Sequence, residues 1–166
     1  MFAKDNKEIV LVAQKLRADK EAVLVVVQQD GTALQYAAEE LRADKEVVLA
    51  AVRENGYALR FAAKELRADK EVVLAAVEQK GGALFHAAKE LQADKEVVFA
   101  AVQQQHNGRV LNFAAKELRA DKEVVLAVVK QDGMALQCAA EALRADKEIV
   151  LAAVNNNGFA LESAIE

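Results

Sequence analysis

The sequence repeats itself every 25 residues, and this period limits the folds that the chain can adopt. The segment DKEVVLAAVRENGYALRFAAKELRA begins at Asp44, DKEVVLAAVEQKGGALFHAAKELQA begins at Asp69, and 18 of their 25 positions are identical. Similar segments begin at residues 19, 94, 121 and 146. A short fixed period indicates one supersecondary unit stacked on copies of itself. We therefore predict that residues 1–166 form a single repeat array.

Each unit has the sequence pattern of two short helices joined at a glycine. Asp44 is a good N-cap, because its carboxylate can accept hydrogen bonds from the free N–H groups of the first turn. Glu46 follows at a position where the helix dipole favours a negative charge. Gly56 is expected to end the first helix in the left-handed conformation. A second helix is predicted from about Tyr57 to Arg67, because its apolar residues follow one stripe with a period of 3.6 residues.

The first segment of each unit allows another interpretation. Residues 47–52 are apolar on every side and could form a buried strand, and a strand followed by a helix at this period is typical of a leucine-rich-repeat solenoid. The alternating Leu-x-Leu with Asn of that class is absent, whereas the Asp cap, the acidic first turn and the glycine stop are typical of helices. We therefore predict an all-α fold, an αα-repeat solenoid of about 13 short helices whose apolar first helices form an inner layer.

The array begins and ends inside a unit. Residues 4–18 are predicted to form a half-unit with a lone helix at 7–16, and the last unit stops before the Leu and Arg that end the others. The fourth unit has 27 residues because the turn between its helices is two residues longer, which should leave the stack intact. Since neither end has a distinct polar cap, we expect either a longer array or ends that another copy covers.

Composition argues against several classes of partner. The formal net charge of −4 supplies no general field for binding phosphates, so no nucleic-acid partner is expected. No apolar run approaches the roughly 18 residues of a membrane span, and the N-terminus lacks a secretory pattern. The single cysteine, Cys138, cannot form an internal disulfide. We therefore expect no membrane partner and a location in the cytoplasm or, after delivery, in a host cytosol.

The string NGYALRFAAKELRADKEVVLAAV, which begins at Asn55, resembles a known family of short αα repeats catalogued as domain of unknown function 4116. The family pattern combines an Asn-Gly turn, an Ala-Leu pair and an Asp-x-Glu-Val-Val run. The resemblance extends from Asn6 to Ser163. It implies a helical repeat domain with a binding role, and it offers no catalytic residues to transfer to this chain.

Positions that vary between the copies indicate a candidate binding face. In each second helix they fall at i, i+3 and i+4, so they share one face of an α-helix, and six of the eight aromatic residues lie among them. Rows of exposed aromatic side chains are common anchors of protein-binding surfaces. The predicted binding residues are Tyr36, Tyr57, Arg60, Phe61, Phe85, His86, Arg109, Phe113, Met134 and Phe159.

Burial is the alternative explanation for part of this face. The series Tyr36, Phe61, His86 and Phe113 lies on the flank of the apolar stripe, where it could wedge between neighbouring second helices as core. The sequence Arg-Ala-Asp-Lys-Glu recurs where one unit meets the next. We interpret it as a solvated rim whose charges compensate one another.

No catalytic, cofactor or metal site is predicted. His86 and His106 fall in different units, and no cysteine or carboxylate cluster accompanies them at ligand spacing. The glycines at 81 and 82 lie in a helix–helix turn and not in a phosphate-binding loop. We therefore predict a non-enzymatic scaffold that binds a protein or peptide through the second helices. The alternative is a structural module whose ends associate head to tail.

Overall fold

The computed structural model describes residues 15–105 and 108–165, and the regular secondary structure of these residues is helical throughout. Residues 15–18 are helical, and seventeen further helices follow from Lys20 in a fixed order: a long α-helix, a six-residue 3₁₀ helix and a one-turn α-helix in each unit, with the last unit described up to its 3₁₀ helix. The long helices of consecutive units contact each other, and so do their 3₁₀ helices. The fold is therefore an all-α repeat solenoid, as predicted. The expected half-unit at residues 4–18 lies almost entirely outside the described residues.

We number the units 1 to 6 from their starts at residues 19, 44, 69, 94, 121 and 146. The long helices are Lys20–Val27, Lys45–Glu54, Lys70–Gln79, Lys95–Gln105, Lys122–Gln131 and Lys147–Asn156. The 3₁₀ helices are Gly31–Tyr36, Gly56–Phe61, Gly81–His86, Gly108–Phe113, Gly133–Cys138 and Gly158–Ser163. The one-turn helices are Glu39–Arg42, Lys64–Arg67, Lys89–Gln92, Lys116–Arg119 and Glu141–Arg144. Among these helices, none has both the length and the apolar character that crossing a membrane requires.

The predicted second helix is divided into two, which raises the number of helices above the 13 expected. In unit 2 the 3₁₀ helix ends at Phe61, and Ala62 and Ala63 then take extended conformations with ψ of 152° and 156°. The N–H of Ala63 donates to the carbonyl of Arg42 in the preceding unit at 2.9 Å. Bonds of 2.8–3.1 Å occur at the same place along the array. The interruption therefore leaves the N–H of Ala63 available to link two units. In a continuous helix this N–H would donate within the helix.

The glycine after each long helix serves a different purpose from the one predicted. None of the described glycines has a φ in the left-handed region, so the expected left-handed stop is wrong. A Cβ added to Gly56 would overlap the carbonyl oxygen of Ala76 in the next unit. The turn is made instead by Asn55, whose side chain accepts from the N–H of Tyr57 at 3.1 Å. Glycine is required here because neighbouring units approach closely.

The aspartates at the unit starts cap the long helices, as predicted. One oxygen of Asp44 accepts from the N–H groups of Glu46 and Val47 at 3.0 and 3.1 Å. The other accepts from Lys20 of unit 1 at 2.8 Å, and Lys20 also pairs with Glu46 at 2.8 Å. The same arrangement is found at Lys45, Lys70, Lys95 and Lys122.

We call these ion pairs the lysine ladder. The rim was expected to show only general charge compensation, whereas the ladder makes specific contacts between consecutive units. The hydrogen bond from Lys20 lowers the pKa of Asp44, and the hydrogen bonds to Asp44 and Glu46 raise the pKa of Lys20. Because the lysines are about two-fifths exposed, solvent weakens each pair. The ladder therefore fixes the register of consecutive units more than it stabilises them.

The apolar core continues through every unit. The leucines of the first five 3₁₀ helices are completely buried: Leu34, Leu59, Leu84, Leu111 and Leu136. The long helix of unit 2 buries Val47, Val48, Ala51 and Val52, whereas Leu49 and Ala50 are only half-buried. One side of each long helix is therefore partly open to solvent. The prediction that these helices are buried on every side is wrong. Hydrophobic burial between units is the main source of stability in such an array.

Candidate binding face

The variable side chains lie on the 3₁₀ helices, and the geometry of this helix decides which of them face solvent. Residues i and i+3 of a 3₁₀ helix are aligned, whereas i+4 is rotated by about a third of a turn. The i+3 series is exposed in every unit: Gln35, Arg60, Phe85, Asn112, Gln137 and Glu162. The predicted sharing of one face by i, i+3 and i+4, which assumed an α-helix, is therefore wrong for the i+4 positions.

The i+4 series turns towards the core to a degree that differs between units. Tyr36 is 62% exposed, and Cys138 at the same position in unit 5 is only 2% exposed. Phe61 and Phe113 are half-buried and pack against the core, and His86 is also half-buried. These three side chains thus combine the two roles considered from the sequence, because each is partly packed between units and partly accessible to a partner.

In unit 2 the i residue projects across to the neighbouring unit. The ring of Tyr57, which is 40% exposed, lies over Gly82 of unit 3, where an added Cβ would come within 2.7 Å of the tyrosine hydroxyl oxygen. Met134 is half-buried and Phe159 is 72% exposed. The side chain of Arg109 lies outside the described part of the chain. A small residue at 82 therefore makes room for the tyrosine of the preceding unit.

Four rings from units 2, 3 and 4 form a continuous set, which we call the aromatic row. The centroids of Tyr57 and His86 are 6.4 Å apart, those of His86 and Phe85 5.1 Å, and those of Phe85 and Phe113 5.4 Å. Interplanar angles of 85°, 78° and 64° make all three contacts edge-to-face, the arrangement that aromatic quadrupoles favour. The structure thus brings together four of the ten predicted residues.

Cations lie close to this row. The guanidinium carbon of Arg60 lies 4.4 Å from the centroid of Phe61, within the range of a cation–π contact. Burial lowers the pKa of His86, and the positive charges of Arg60 and Arg67 lower it further. Both effects favour the neutral imidazole, which contributes to the row as a ring. In the two described ranges, no cluster of three or more His, Cys, Asp or Glu side chains could hold a metal ion.

A second repeated set of side chains was missed in the sequence. Arg42, Arg67, Arg119 and Arg144 end four of the one-turn helices, and the Nε of each is buried without a hydrogen-bond partner among the described residues. We call these four residues the arginine row. The recurrence of arginine at one position of the repeat was the available signal, and it was assigned to the solvated rim.

The repeats match a known family along most of the chain. The family described as Domain of unknown function (DUF4116) matches residues 19–67, 69–119 and 121–166. Each match covers two of the 25-residue units and begins at the start of a unit. No curated protein and no solved structure shows significant similarity to the chain.

Proposed function

Because the chain belongs to the family described as Domain of unknown function (DUF4116), whose description names no activity, we propose a function from the surface of the array. The chain is a non-enzymatic scaffold that binds a protein or peptide through the aromatic row, in the cytoplasm or in a host cytosol. The observation that carries this proposal is the unbroken series of ring contacts from Tyr57 to Phe113 on the surface of three units. Two exposed rings flanked by two half-buried ones offer apolar area that a partner can cover.

Stacking of the units supports this role by holding the rings in place. The 3₁₀ helices that carry the row are anchored by Leu59, Leu84 and Leu111, all of which are completely buried. The glycine contacts, the backbone bonds and the lysine ladder then fix each unit against the next. Binding to such a surface requires little reordering of the protein, so less of the interaction energy is lost on association.

The double variant Tyr57→Ser/Phe85→Ser tests this function. Wild-type protein is used to select peptides from a random library displayed on phage, and the affinities of labelled selected peptides are measured by fluorescence polarisation. We expect the variant to bind them at least tenfold more weakly, a loss of about 1.4 kcal/mol. Since Tyr57 and Phe85 are 40% and 60% exposed, we expect unfolding in urea to show a loss of less than about 2 kcal/mol.

Leu151→Ser is the matched control, because Leu151 is 52% exposed and lies on a long helix away from the row. This variant should bind the selected peptides as the wild-type protein does. Selection of no peptide, or equal affinity of Tyr57→Ser/Phe85→Ser and wild type, would contradict binding through the aromatic row. A loss of stability well above 2 kcal/mol would identify the two rings as core.

End-to-end assembly of copies is a second candidate function, and the surface of unit 6 favours it. Within the described residues, Lys147 has no carboxylate at ion-pair distance, whereas its five counterparts in the ladder each have two. A Cβ on Gly158 would meet nothing within 4 Å. Leu151, Phe159 and Leu161 are 52%, 72% and 61% exposed. A further unit of the same kind would supply carboxylates for Lys147, pack against Gly158 and cover the three apolar side chains.

Unit 1 offers a surface that complements this one. It contains an apolar hollow of about 230 Å³, lined by side chains that include Val23, Val26 and Tyr36. Asp19 and Glu21, which correspond to the ladder carboxylates of the later units, have no lysine partner in the described part of the chain. Asp19 and Glu21 of one copy thus complement Lys147 of another, and pairing of these groups between copies would be an open contact that generates filaments.

Light scattering at increasing protein concentration tests this assembly. We expect the mass of the wild-type protein to rise with concentration, and Phe159→Ser/Leu161→Ser to remain a monomer because its contact surface loses two apolar side chains. Gln35→Ser, an exposed polar position in unit 1, should assemble as the wild type does. A wild-type monomer at about 1 mM would exclude association of about −4 kcal/mol or stronger, and with it this candidate function.

A further inference from the structure

The guanidinium groups of the arginine row form no ion pair in the described part of the chain. No carboxylate of the described residues lies at ion-pair distance from Arg42, Arg67, Arg119 or Arg144, and the aspartates of the neighbouring ladder are paired with lysines. We infer that the arginine row binds the carboxylates of an extended acidic peptide that lies along the aromatic row. This inference rests on the proposed peptide-binding function and specifies the chemistry of the partner.

Unit 3 shows what this position does when it carries no charge. Gln92 stands where the other units have arginine, and its Nε2 donates towards the carbonyls of Leu84, Phe85 and Ala87 at 3.2, 3.3 and 3.1 Å. Glutamine thus satisfies the C-terminal end of the 3₁₀ helix, whereas the arginines make none of these bonds. An unpartnered buried donor costs stability, so the fold alone gives no reason for arginine at this position.

A cavity between units 1 and 2 places two of the arginines beside an aromatic ring. Its volume is about 280 Å³, and its lining includes Arg42, Arg67 and Phe61. Lys64 adds a third positive charge, and the carboxylates of Glu39 and Glu65 also reach the lining. A ligand group in this cavity would therefore contact a guanidinium and an apolar surface together, which suits an acidic residue next to an apolar one.

The arginine row also lies within electrostatic reach of the aromatic row. After burial, which is the larger cause, the charges of Arg60 and Arg67 lower the pKa of His86, a member of the aromatic row. Phe61 contacts the guanidinium of Arg60 and also lines the cavity that contains Arg67. A single peptide chain can consequently reach both rows.

The spacing of the units suits an extended chain. Packed helices lie about 8–10 Å apart and an extended chain rises about 3.3 Å per residue, so neighbouring arginines face peptide residues about three positions apart. Carboxylates match the planar fork of a guanidinium and accept two hydrogen bonds from it. The side chains between them are free to cover the rings. The favoured ligand thus has acidic residues at every third position, separated by apolar ones.

A nucleic acid fits this surface less well, although it also carries negative charge. Each one-turn helix that ends in an arginine of the row also exposes a glutamate: Glu39, Glu65, Glu117 and Glu141. A phosphate backbone has a charge at every nucleotide and would meet these carboxylates as well as the arginines. A peptide with neutral residues between its acids avoids them, and the net charge of −4 favours the ligand with less charge.

Fluorescence anisotropy with two synthetic peptides tests the assignment on the whole chain. One peptide of about 12 residues, enough to span about four units at 3.3 Å per residue, carries Glu at every third position and Leu or Phe between them. The other carries Gln in place of Glu. We expect the wild-type protein to bind the Glu peptide at least tenfold more tightly, and Arg42→Gln/Arg67→Gln to lose this preference. Gln92→Arg, which completes the row, should bind the Glu peptide several-fold more tightly.

Arg53→Gln is the control for loss of charge, because Arg53 is exposed near the end of a long helix, and it should leave the preference intact. Thermal unfolding checks that the glutamine variants fold, as Gln92 leads us to expect. The inference is overturned if Arg42→Gln/Arg67→Gln binds like the wild type, if neither peptide binds, or if single-stranded poly-uridine binds more tightly than the Glu peptide.

The same titration separates this inference from the proposed function. If both peptides bind equally and only Tyr57→Ser/Phe85→Ser abolishes binding, the aromatic row remains the binding surface and the arginine assignment fails. If only the arginine variants lose the Glu peptide, the arginine assignment stands and binding through the aromatic row fails.

Discussion

Replacing Leu84 by alanine is expected to lower the free energy of unfolding by about 2–5 kcal/mol, the usual cost of truncating a buried leucine. Leu84 lies on the 3₁₀ helix of unit 3, is 0% exposed and belongs to the continuous core. Because the site lies in packed contact with neighbouring units, the cavity left by the substitution cannot be filled by solvent or by a small local movement. Urea denaturation followed by circular dichroism measures the loss.

Leu161→Ala is the matched control for this prediction. Leu161 occupies the same position of the 3₁₀ helix in unit 6, after the same glycine and alanine pattern, yet it is 61% exposed. Its replacement should change the free energy of unfolding by less than about 0.5 kcal/mol. Equal losses in the two variants would mean that the leucine acts within its own helix, and would contradict stabilisation by stacking of the units.

The sequence was sufficient for the architecture because its main signals are local and are repeated in every copy. Asp44 accepts from the N–H groups of Glu46 and Val47, which is the interaction that an aspartate before an apolar run predicts. The period then implies that this local unit is stacked on its copies. Agreement of six copies removes the ambiguity that a single apolar segment would leave between helix and strand.

The division of the second helix could not be predicted because its cause lies in another unit. Ala62 and Ala63 are good helix formers, and no local signal interrupts the pattern around them. The extended conformation is stabilised when the N–H of Ala63 donates to the carbonyl of Arg42 in the preceding unit. This division also affects the candidate binding face, because the 3₁₀ helix turns Phe61 partly into the core and leaves Arg60 exposed.

The arginine row was missed because charges in a sequence carry no information about which of them pair. The motif Arg-Ala-Asp-Lys-Glu suggests that Arg42 and Asp44 compensate each other. In the structure, Lys20 of the preceding unit pairs with both Asp44 and Glu46, and Arg42 retains a buried Nε without a partner. Only the arrangement of consecutive units shows that lysine takes the carboxylates and leaves the arginine available.

Replacing Gly56 by alanine is expected to lower the free energy of unfolding by about 1–3 kcal/mol or more, the cost of overpacking a close contact. The new Cβ would overlap the carbonyl oxygen of Ala76 and lie 3.0 Å from the Cβ and 3.1 Å from the N of Lys80. These atoms belong to the next long helix and its C-terminal cap, so the strain is relieved only if units 2 and 3 separate. Separation would also break the 3.1 Å hydrogen bond from the N–H of Gly56 to Gln79.

The same substitution at Gly158 should raise the free energy of unfolding and not lower it. Gly158 follows Asn157, whose φ and ψ of −148° and 112° match the −145° and 108° of Asn55, but a Cβ on Gly158 meets nothing within 4 Å. Alanine there restricts the unfolded chain and should stabilise the protein by about 0.4–1 kcal/mol. If these glycines ended helices through a left-handed conformation, both variants would instead lose about 1–2 kcal/mol. Urea denaturation of Gly56→Ala and Gly158→Ala therefore distinguishes close approach of the units from a local helix stop, since only close approach gives changes of opposite sign.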